Sequence, residues 1–307
     1  MALIKSISGI RGTIGGKPDE TLSPLDIVKF TAAYGSWVKQ NNKGNKIIIG
    51  RDARISGTMV SNIVTSTLTS LGLDVIDLGL STTPTVELAV VWEKAAGGII
   101  ITASHNPKEW NALKLLNHLG EFISASDGAT VLEKAKKEDF IFSSIDKLGT
   151  HSFNNSYLQK HIDAVVNYPL VDVESIKKKN YKVVVDAINS TGATAVPALL
   201  KALGVEDVIV LNGEVNGKFA HNPEPLPENL VALSATVQKS KADFGIAVDP
   251  DVDRLCFVNE DGSMFGEEYT LVAVADYVLG KKKGNTVSNM SSTKALKEIT
   301  IKHGGQY

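Results

Sequence analysis

Three consecutive isoleucines at residues 99–101 have no polar residue between them. Such a run indicates a β-strand buried on both faces, as in a parallel sheet that helices cover on each side. The loop that follows, residues 102–107 (TASHNP), ends at Pro107, which cannot donate a hydrogen bond to a sheet and disfavours a helical Asn106. Ser104 is therefore predicted on a loop at the carboxyl end of a buried strand, where open α/β sheets bind ligands.

Basic residues accompany this serine. His105 follows Ser104 directly, and Lys114 lies ten residues further along the chain. A functional serine hydroxyl next to positive charge fits this arrangement, although serine and asparagine at such a place also simply cap turns. A glycine-flanked arginine, Arg11, occurs in residues 8–12 (SGIRG), where glycine lets the backbone bend and leaves the guanidinium accessible. An ordinary surface turn is the alternative there.

The composition excludes several classes of protein for this chain of 307 residues. Hydrophobic residues make up 43% of it, enough for a sizeable core, and the length allows two domains and part of a third. A formal net charge of -2 gives no electrostatic reason to expect nucleic acid or a membrane as partner. We expect no signal peptide or membrane span, because no apolar run is long enough. The single cysteine, Cys256, excludes an intrachain disulfide and fits a reducing cytoplasm.

Strand, loop, helix and strand patterns occur twice in the same order. The first set begins with an apolar strand at residues 46–50, and the second begins with one at 182–185. Three pairs of landmarks recur at similar spacing: Asp52 and Asp186, Gly57 and Gly192, Gly72 and Gly204. We interpret this as an internal duplication, which predicts an α/β fold of repeated three-layer domains with mixed, largely parallel sheets covered by helices. Ordinary similarity between unrelated α/β units is the alternative.

Polar stretches predict the domain boundaries. A charged and then serine-rich stretch separates a first domain, residues 1–150, from a second, residues 151–254. Residues 259–262 (NEDG) carry a hairpin pattern just beyond the second domain. Residues 255–307, with a helix expected at 291–302, are predicted to be the incomplete start of a third domain.

An acidic loop is the second candidate centre. The apolar strand at residues 244–248 is followed by Asp249, Asp251 and Asp253 at alternate positions. If strand geometry persists into the loop, the alternation places all three carboxylates on one side. Converging carboxylates repel unless a cation neutralises them, and an all-oxygen site suits Mg²⁺, Mn²⁺ or Ca²⁺. The loop is therefore predicted to bind a metal ion, although a solvated acidic turn has the same composition.

Two other acidic motifs share features of this loop. A calcium-binding EF-hand would use the three aspartates and Glu260 as ligands, but Arg254 stands where its sharp turn needs glycine. The aspartyl-phosphate loop of haloacid-dehalogenase-like phosphatases also opens with Asp-x-Asp after a strand. In those enzymes the first aspartate is the nucleophile, so a phosphatase that uses Asp249 is an alternative function.

Four segments resemble the motifs of one enzyme family, in the family's order. Residues 102–107 resemble the phosphoserine loop of the α-D-phosphohexomutases, which are phosphoglucomutase, phosphomannomutase, phosphoglucosamine mutase and their relatives. Residues 8–12 resemble the family's amino-terminal signature, and residues 249–254 (DPDVDR) resemble its magnesium loop. Residues 221–225 (HNPEP) resemble a segment between these two. The resemblance spans the chain, and its motifs are specific.

The resemblance implies a phosphoryl-transfer mechanism. Ser104 would carry a phosphate that shares one Mg²⁺ with Asp249, Asp251 and Asp253. The phosphate would pass to a hexose phosphate and give a hexose bisphosphate, which would reorient and return its other phosphate to Ser104. Phosphate would thereby move between the 1- and 6-positions of the sugar.

The resemblance also implies roles for the basic residues. Arg11 and Lys114 would neutralise phosphoryl charge, and His105 would either take part in the reaction or support the loop. Arg254 would pair with the anions of the site. Arg51 is the weaker candidate for substrate binding, because an ion pair with a neighbouring carboxylate would also explain it.

The sequence does not determine which hexose phosphate is the substrate. Pro250 stands where many mutases have glycine, and Asp-Pro-Asp followed by Val252 also occurs among phosphoglucosamine mutases. The resembled family normally continues into a sugar-recognition loop and a loop that grips the substrate phosphate, so we expect this chain to be a fragment with little or no mutase turnover. An inactive fragment that binds metal or sugar phosphate is then a further alternative. The sequence does not predict the oligomeric state.

Overall fold

The structure is a computed structural model that describes residues 3–6, 9–41, 43–290 and 292–307. Ser8, the first residue of the SGIRG motif, and Ser291, the expected start of the last helix, lie outside the described residues. In the part of the chain that the structure describes, no helix combines the length and the apolar character that a membrane crossing requires.

Seven strands form the first sheet: β1 (Leu3–Ser6), β2 (Gly9–Thr13), β3 (Lys46–Arg51), β4 (Asp74–Leu80), β5 (Gly97–Ile101), β6 (Trp110–Leu116) and β7 (His151–Phe153). Their spatial order is β1-β2-β6-β5-β3-β4-β7. Parallel pairing joins β5, β3, β4 and β7, whereas antiparallel pairing joins β1, β2, β6 and β5. The sheet is therefore mixed, and its parallel half contains the strand that leads to Ser104.

Helices cover both faces of this sheet: α1 (Pro24–Gln40), α2 (Gly57–Ser70), α3 (Thr83–Trp92) and α4 (Ala125–Lys137). Ile99 and Ile101 belong to the hydrophobic cluster that contains α1, α2 and α4. Ile100 belongs to the opposite cluster, which contains α3. All three isoleucines are fully buried, so the predicted strand buried on both faces is confirmed.

Four strands form the second sheet: β8 (Lys182–Asp186), β9 (Asp207–Leu211), β10 (Phe244–Val248) and β11 (Leu255–Asn259), in the spatial order β11-β10-β8-β9. The remaining helices are α5 (Tyr157–Val166), α6 (Val173–Lys177), α7 (Gly192–Ala202), α8 (Val231–Ser240), α9 (Glu267–Lys281) and α10 (Ala295–Lys302). Residues of α7 pack on one face of this sheet and residues of α8 on the other. The second sheet is thus also the middle layer of three.

The predicted repeat is present in the structure. In the first unit β3, α2 and β4 follow one another, and β3 and β4 pair in parallel. In the second unit β8, α7 and β9 repeat that order, and β8 and β9 also pair in parallel. Gly57 and Gly192 begin the two helices, as the landmarks indicated. The predicted fold class, repeated three-layer α/β domains, is confirmed.

The strand pairing suggests other domain boundaries than the sequence did. β7 pairs with β4 in the first sheet, and β11 pairs with β10 in the second. Boundaries at residues 150 and 254 would separate these strands from their sheets. We therefore propose that the first unit extends through Phe153 and the second through Asn259. A third domain beyond that point stays a prediction, and its last helix begins at Ala295.

Direct hydrogen bonds join the two units next to the candidate loops. The backbone N–H of Ala53, just after β3, donates to Ser190 Oγ at 3.2 Å. Ser190 Oγ in turn donates to the carbonyl oxygen of Pro250, in the acidic loop, at 2.6 Å. The backbone N–H of Thr83 donates to the carbonyl oxygen of Asp251 at 2.8 Å. These contacts bring the carboxyl ends of both sheets together.

Candidate active site

The Ser104 loop (residues 102–107) and the acidic loop (residues 249–254) follow β5 and β10 and meet between the two units. Ser104 Oγ donates a hydrogen bond to Asp249 Oδ2 at 2.7 Å. Ser104 has a φ of +50°, in the left-handed region that few residues other than glycine adopt, and its N–H donates to Thr102 Oγ1 at 2.9 Å. Strained backbone of this kind is frequent at functional sites. The two motifs that the sequence singled out therefore form one site.

A buried arginine that the sequence analysis missed, Arg54, fixes the Ser104 loop. Its guanidinium donates to four carbonyl oxygens: those of Ser104 (2.5 Å), Asn106 (2.6 Å), Pro107 (2.7 Å) and Trp110 (3.0 Å). Arg54 Nε donates to Asp52 Oδ2 at 3.0 Å, and Thr102 Oγ1 donates to the same oxygen at 2.7 Å. The sequence signal for this cluster was the RDAR run at residues 51–54, which does not by itself say which arginine faces the loop.

The three predicted aspartates converge. Each offers a carboxylate oxygen within 4.8 Å of the others, and Asp249 and Asp251 are fully buried. Asp249 Oδ1 accepts hydrogen bonds from the backbone N–H groups of Asp253 and Arg254, at 3.2 and 3.1 Å. Val252 has a φ of +61°, which is unusual for a β-branched residue. The tight turn of the loop therefore holds the carboxylates together against their mutual repulsion.

The Asp251 carboxylate shows that this cluster fits a cation. Thr83 Oγ1 and Lys114 Nζ donate to its Oδ2 at 2.6 and 2.7 Å. Its Oδ1 is buried and has no hydrogen-bond partner among the described residues. A buried carboxylate oxygen without a partner is costly unless a cation or water satisfies it. The three carboxylates can therefore hold a metal ion with oxygen ligands.

Lys114, on β6, neutralises part of this negative charge. Its Nζ lies 2.7 Å from Asp251 Oδ2 and 2.9 Å from Asp253 Oδ2. Burial lowers the pKa of Lys114, but the two carboxylates outweigh that effect and hold the pKa above its ordinary value. Lys114 is therefore charged at neutral pH.

The pKa values of Asp249 and Asp251 are shifted in opposite directions. Burial, followed by the charges of Asp251 and Asp253, raises the pKa of Asp249 to about 8. Burial would also raise the pKa of Asp251, but the charge and hydrogen bond of Lys114, together with the hydrogen bond from Thr83, outweigh burial and lower it. A bound metal ion would oppose the rise in the pKa of Asp249, because a cation favours the ionised carboxylate.

A cavity of about 270 Å³ opens beside Ser104, and Arg11, His105 and Arg254 line it. Arg11 Nε is buried and has no hydrogen-bond partner among the described residues. Arg254 Nη1 donates to Glu224 Oε1 at 3.3 Å. His105 Nδ1 lies 3.4 Å from Ser104 Oγ, and burial, followed by the charge of Arg254, lowers the pKa of His105. The result is a largely cationic cavity next to a serine hydroxyl, which suits a phosphate ester.

Arg51 is the predicted site residue that the structure places elsewhere. It lines a separate cavity of about 430 Å³, and its Nη1 donates to the carbonyl oxygen of Asp52 at 3.1 Å. The other predicted site residues come together around Ser104. Thr83, which holds Asp251, was missed because the Thr-Thr-Pro run at residues 82–84 predicts a helix start but not its tertiary partner.

Models of the phosphoglucomutase/phosphomannomutase family match both units. The model of alpha/beta/alpha domain I matches residues 3–142, and the model of alpha/beta/alpha domain II matches residues 159–262. Together they include the Ser104 loop and the acidic loop.

Curated relatives carry the names of phosphohexomutases. A phosphoglucomutase/phosphomannomutase of Thermococcus kodakarensis is 36% identical over 300 residues, which are 96% of this chain and 65% of that protein. A phosphoglucosamine/phosphogalactosamine mutase of Sulfurisphaera tokodaii is 33% identical over 264 residues, which are 85% of this chain and 56% of that protein. The chain thus spans less than two thirds of the length of these relatives.

A solved structure agrees with the family models. The phosphoglucomutase/phosphomannomutase family protein of Burkholderia thailandensis superposes with a TM-score of 0.85 at 26% identity, over 100% of this chain and 66% of that one. One assignment follows from the order of the strands in the two sheets, the two matched domain models and the named relatives. This chain belongs to the α-D-phosphohexomutase family.

Proposed function

We propose that this protein is a phosphohexomutase that moves phosphate between the 1- and 6-positions of a hexose by way of a phosphoserine at Ser104. The observation that carries the proposal is the 2.7 Å hydrogen bond from Ser104 Oγ to Asp249 Oδ2, beside a cavity lined by Arg11 and Lys114. A nucleophile, a cluster of carboxylates and two cationic side chains are the parts that phosphoryl transfer needs.

In the proposed reaction Ser104 Oγ carries the phosphoryl group. A hydroxyl oxygen of a hexose phosphate attacks the phosphorus atom, the bond between phosphorus and Oγ breaks, and the electron pair stays on Oγ. The hydroxyl proton passes to Oγ through His105, whose Nδ1 is 3.4 Å from it. The resulting hexose bisphosphate reorients, and its other phosphate returns to Ser104 by the reverse steps.

The basic residues bind the phosphoryl oxygens in this proposal. Arg11 has a buried nitrogen without a partner among the described residues, so it can bind an anion in the cavity without breaking a contact there. Lys114 would exchange its carboxylate partners for phosphoryl oxygens once a cation takes them over. Arg254 lines the same cavity and would bind the sugar phosphate. Arg51 would act outside this cavity, in the neighbouring one.

Mg²⁺ is the ion that we propose for the three aspartates, because oxygen ligands and a nearby phosphate favour it. When bound, it would withdraw charge from the phosphoryl oxygens and make Ser104 a better leaving group. The aspartates themselves would hold and orient it, and Asp251 Oδ1, which has no hydrogen-bond partner among the described residues, would gain one.

We propose glucose or mannose phosphate as the substrate, with glucosamine phosphate as the second candidate. The first choice follows the phosphoglucomutase/phosphomannomutase relative, and the second follows the phosphoglucosamine/phosphogalactosamine mutase relative. The single cysteine favours a reducing cytoplasm as the compartment.

A turnover assay tests the proposal. The purified chain is incubated with Mg²⁺, a trace of glucose 1,6-bisphosphate and the 1-phosphate of glucose, mannose or glucosamine, and ³¹P NMR follows the products. We expect slow formation of the 6-phosphate of at least one sugar, which Ser104→Ala abolishes. Release of inorganic phosphate without isomerisation, with an acid-labile protein phosphate that Asp249→Asn removes, would instead identify an aspartyl-phosphate phosphatase.

A further inference from the structure

A segment of the second unit, residues 217–221, packs against the turn of the first unit that contains Ala53 and Arg54. Gly217 has a φ of +68°, and a Cβ atom there would lie 2.1 Å from the carbonyl oxygen of Ala53, so this close approach requires glycine. The Arg54 guanidinium carbon lies 5.1 Å from the centre of the Phe219 ring. The aromatic face of one unit thus covers the buried cation of the other.

The second unit holds this segment at several points. The backbone N–H of Gly217 donates to the carbonyl oxygen of Asn189 at 3.0 Å, and the N–H of Ala220 donates to Asn189 Oδ1 at 3.0 Å. His221 Nε2 lies 3.0 Å from Asp186 Oδ2, at the end of β8. Phe219 therefore lies in a segment that Asn189 and Asp186, both residues of the second unit, hold on either side of it.

Arg54 has no donor left for any other group. Its side chain is fully buried, and all its guanidinium nitrogens donate, Nε to Asp52 and the terminal nitrogens to carbonyl oxygens of residues 104–110. A planar guanidinium with every donor occupied has little freedom to rotate. Any change in the position of Arg54 must therefore move the backbone carbonyl of Ser104, which accepts from it at 2.5 Å.

We propose that Arg54 and Phe219 are a pair of positioning residues through which the second unit sets the conformation of the Ser104 loop. Phe219 fixes the plane of the Arg54 guanidinium, and Arg54 fixes the carbonyls of the loop, so that Ser104 Oγ stays against Asp249. Neither side chain touches the reacting atoms. This pair of residues explains how the Ser104 loop of the first unit keeps its position relative to the acidic loop of the second. Its catalytic meaning rests on the function proposed above.

Hydrogen exchange of the purified chain, read by mass spectrometry, tests this link without any need for activity. Phe219→Leu keeps an apolar side chain but removes the aromatic face. We expect exchange of the backbone amides of residues 103–112 to become about tenfold faster, while the amides of β8 exchange as in the wild type. Phe219→Tyr, which keeps the ring, should restore the wild-type rate. Phe142→Leu, a half-exposed phenylalanine of the first unit, is the matched control and should change nothing in this loop.

Arg54→Lys extends the test, because lysine keeps the charge but cannot serve all five acceptors. We expect faster exchange in the same loop, and the Phe219 variants decide the question if the lysine variant does not fold. Unchanged loop exchange in Phe219→Leu, or faster exchange in β8 to the same extent, would overturn the proposal. A wild-type chain that takes no phosphate on Ser104 would reject the proposed function while leaving this exchange result intact, so the two failures are distinguishable.

Discussion

The two oxygens of the Asp251 carboxylate have different roles. Its Oδ2 accepts from Thr83 and Lys114, whereas its Oδ1 is buried without a partner among the described residues. The first oxygen ties the acidic loop to the first unit, and the second is available to a cation. A metal ion bound here would share this cluster of negative charge with Lys114, which would make their affinities interdependent.

Neutralising any of the three aspartates should weaken Mg²⁺ binding. Asp249→Asn, Asp251→Asn and Asp253→Asn each remove one charge from a site that must balance a dication, and we expect a loss of affinity of at least about tenfold by titration calorimetry. Asp261→Asn, an exposed carboxylate in the turn after β11, is the matched control. Wild-type affinity in all three variants would reject the three-carboxylate site.

Lys114→Gln should have the opposite effect on the metal. The pKa of Lys114 is held above its ordinary value by its carboxylate partners against the effect of burial, so the side chain is charged at neutral pH and competes with a cation. Its removal should tighten Mg²⁺ binding several-fold and lower the unfolding temperature of the metal-free protein, because two carboxylates lose their counter-charge. Lys108→Gln, which is exposed, is the control. Weaker Mg²⁺ binding in Lys114→Gln would show that the lysine supports the metal instead.

Among the elements, the strand that leads to Ser104 and the strand that leads to Asp249 could be predicted from the sequence. Each is a short apolar run followed by polar residues that cannot continue a strand, and this pattern depends on near neighbours in the chain. All three carboxylates of the acidic loop do converge, but strand geometry ends at Val248 and the tight turn at Val252 brings them together, so the alternation did not give the right physical reason. Local patterns therefore located the two loops, whereas the roles expected of Arg11, Lys114 and Arg254 came from the family resemblance.

The partners that hold the site could not be predicted in this way. Arg51 and Arg54 lie in the same short run, and only the packing of the turn after β3 decides which one faces the Ser104 loop. Phe219 contacts Arg54 across the junction of the two units. Pairs so far apart in the chain leave no periodicity or spacing in a single sequence, so tertiary structure is needed to find them.

The ion pair at the end of β8 should make stability depend on pH. Burial lowers the pKa of His221, but its hydrogen bonds to Asp186 and to the carbonyl oxygen of Asn222, together with the charge of Asp186, outweigh burial and raise the pKa. Burial alone would raise the pKa of Asp186. The hydrogen bonds to His221 and Asn212 together outweigh burial, so the pKa of Asp186 is lowered. The His221 contribution is complete below its ordinary pKa of 6.5 and is lost as pH rises through the raised value. The Asp186 contribution is lost as pH falls below 3.8, so both act between these limits.

His221→Gln should therefore cost most stability at about pH 5 and less at alkaline pH. We expect a loss of about 1 kcal/mol at the acidic end of that range, measured as the free energy of unfolding in urea. His118→Gln, at an exposed histidine, is the control. A loss that is the same at all pH values would show that the His221 charge does not contribute.

At the scale of the whole molecule, the two repeated units contribute different chemistry to one site. The first unit supplies Ser104, Arg11 and Lys114, and the second supplies the aspartates. The Ala53–Ser190–Pro250 hydrogen bonds and the Arg54–Phe219 contact join them within a few residues of the loops. The repeated fold thus places the ends of two sheets opposite each other, and each end carries different side chains.

We propose above all that Ser104 carries phosphate beside a metal ion that the three aspartates bind. The most direct measurement is the intact mass of the protein after incubation with glucose 1,6-bisphosphate and Mg²⁺, followed by acid and by peptide mapping. We predict one acid-stable phosphoryl group on Ser104. The Ser104→Ala variant should lack it, whereas the control Ser126→Ala, at an exposed serine, should keep it. Asp251→Asn or chelation of Mg²⁺ should strongly reduce it. A phosphate that persists in Ser104→Ala, or that forms equally well without metal, would contradict the account.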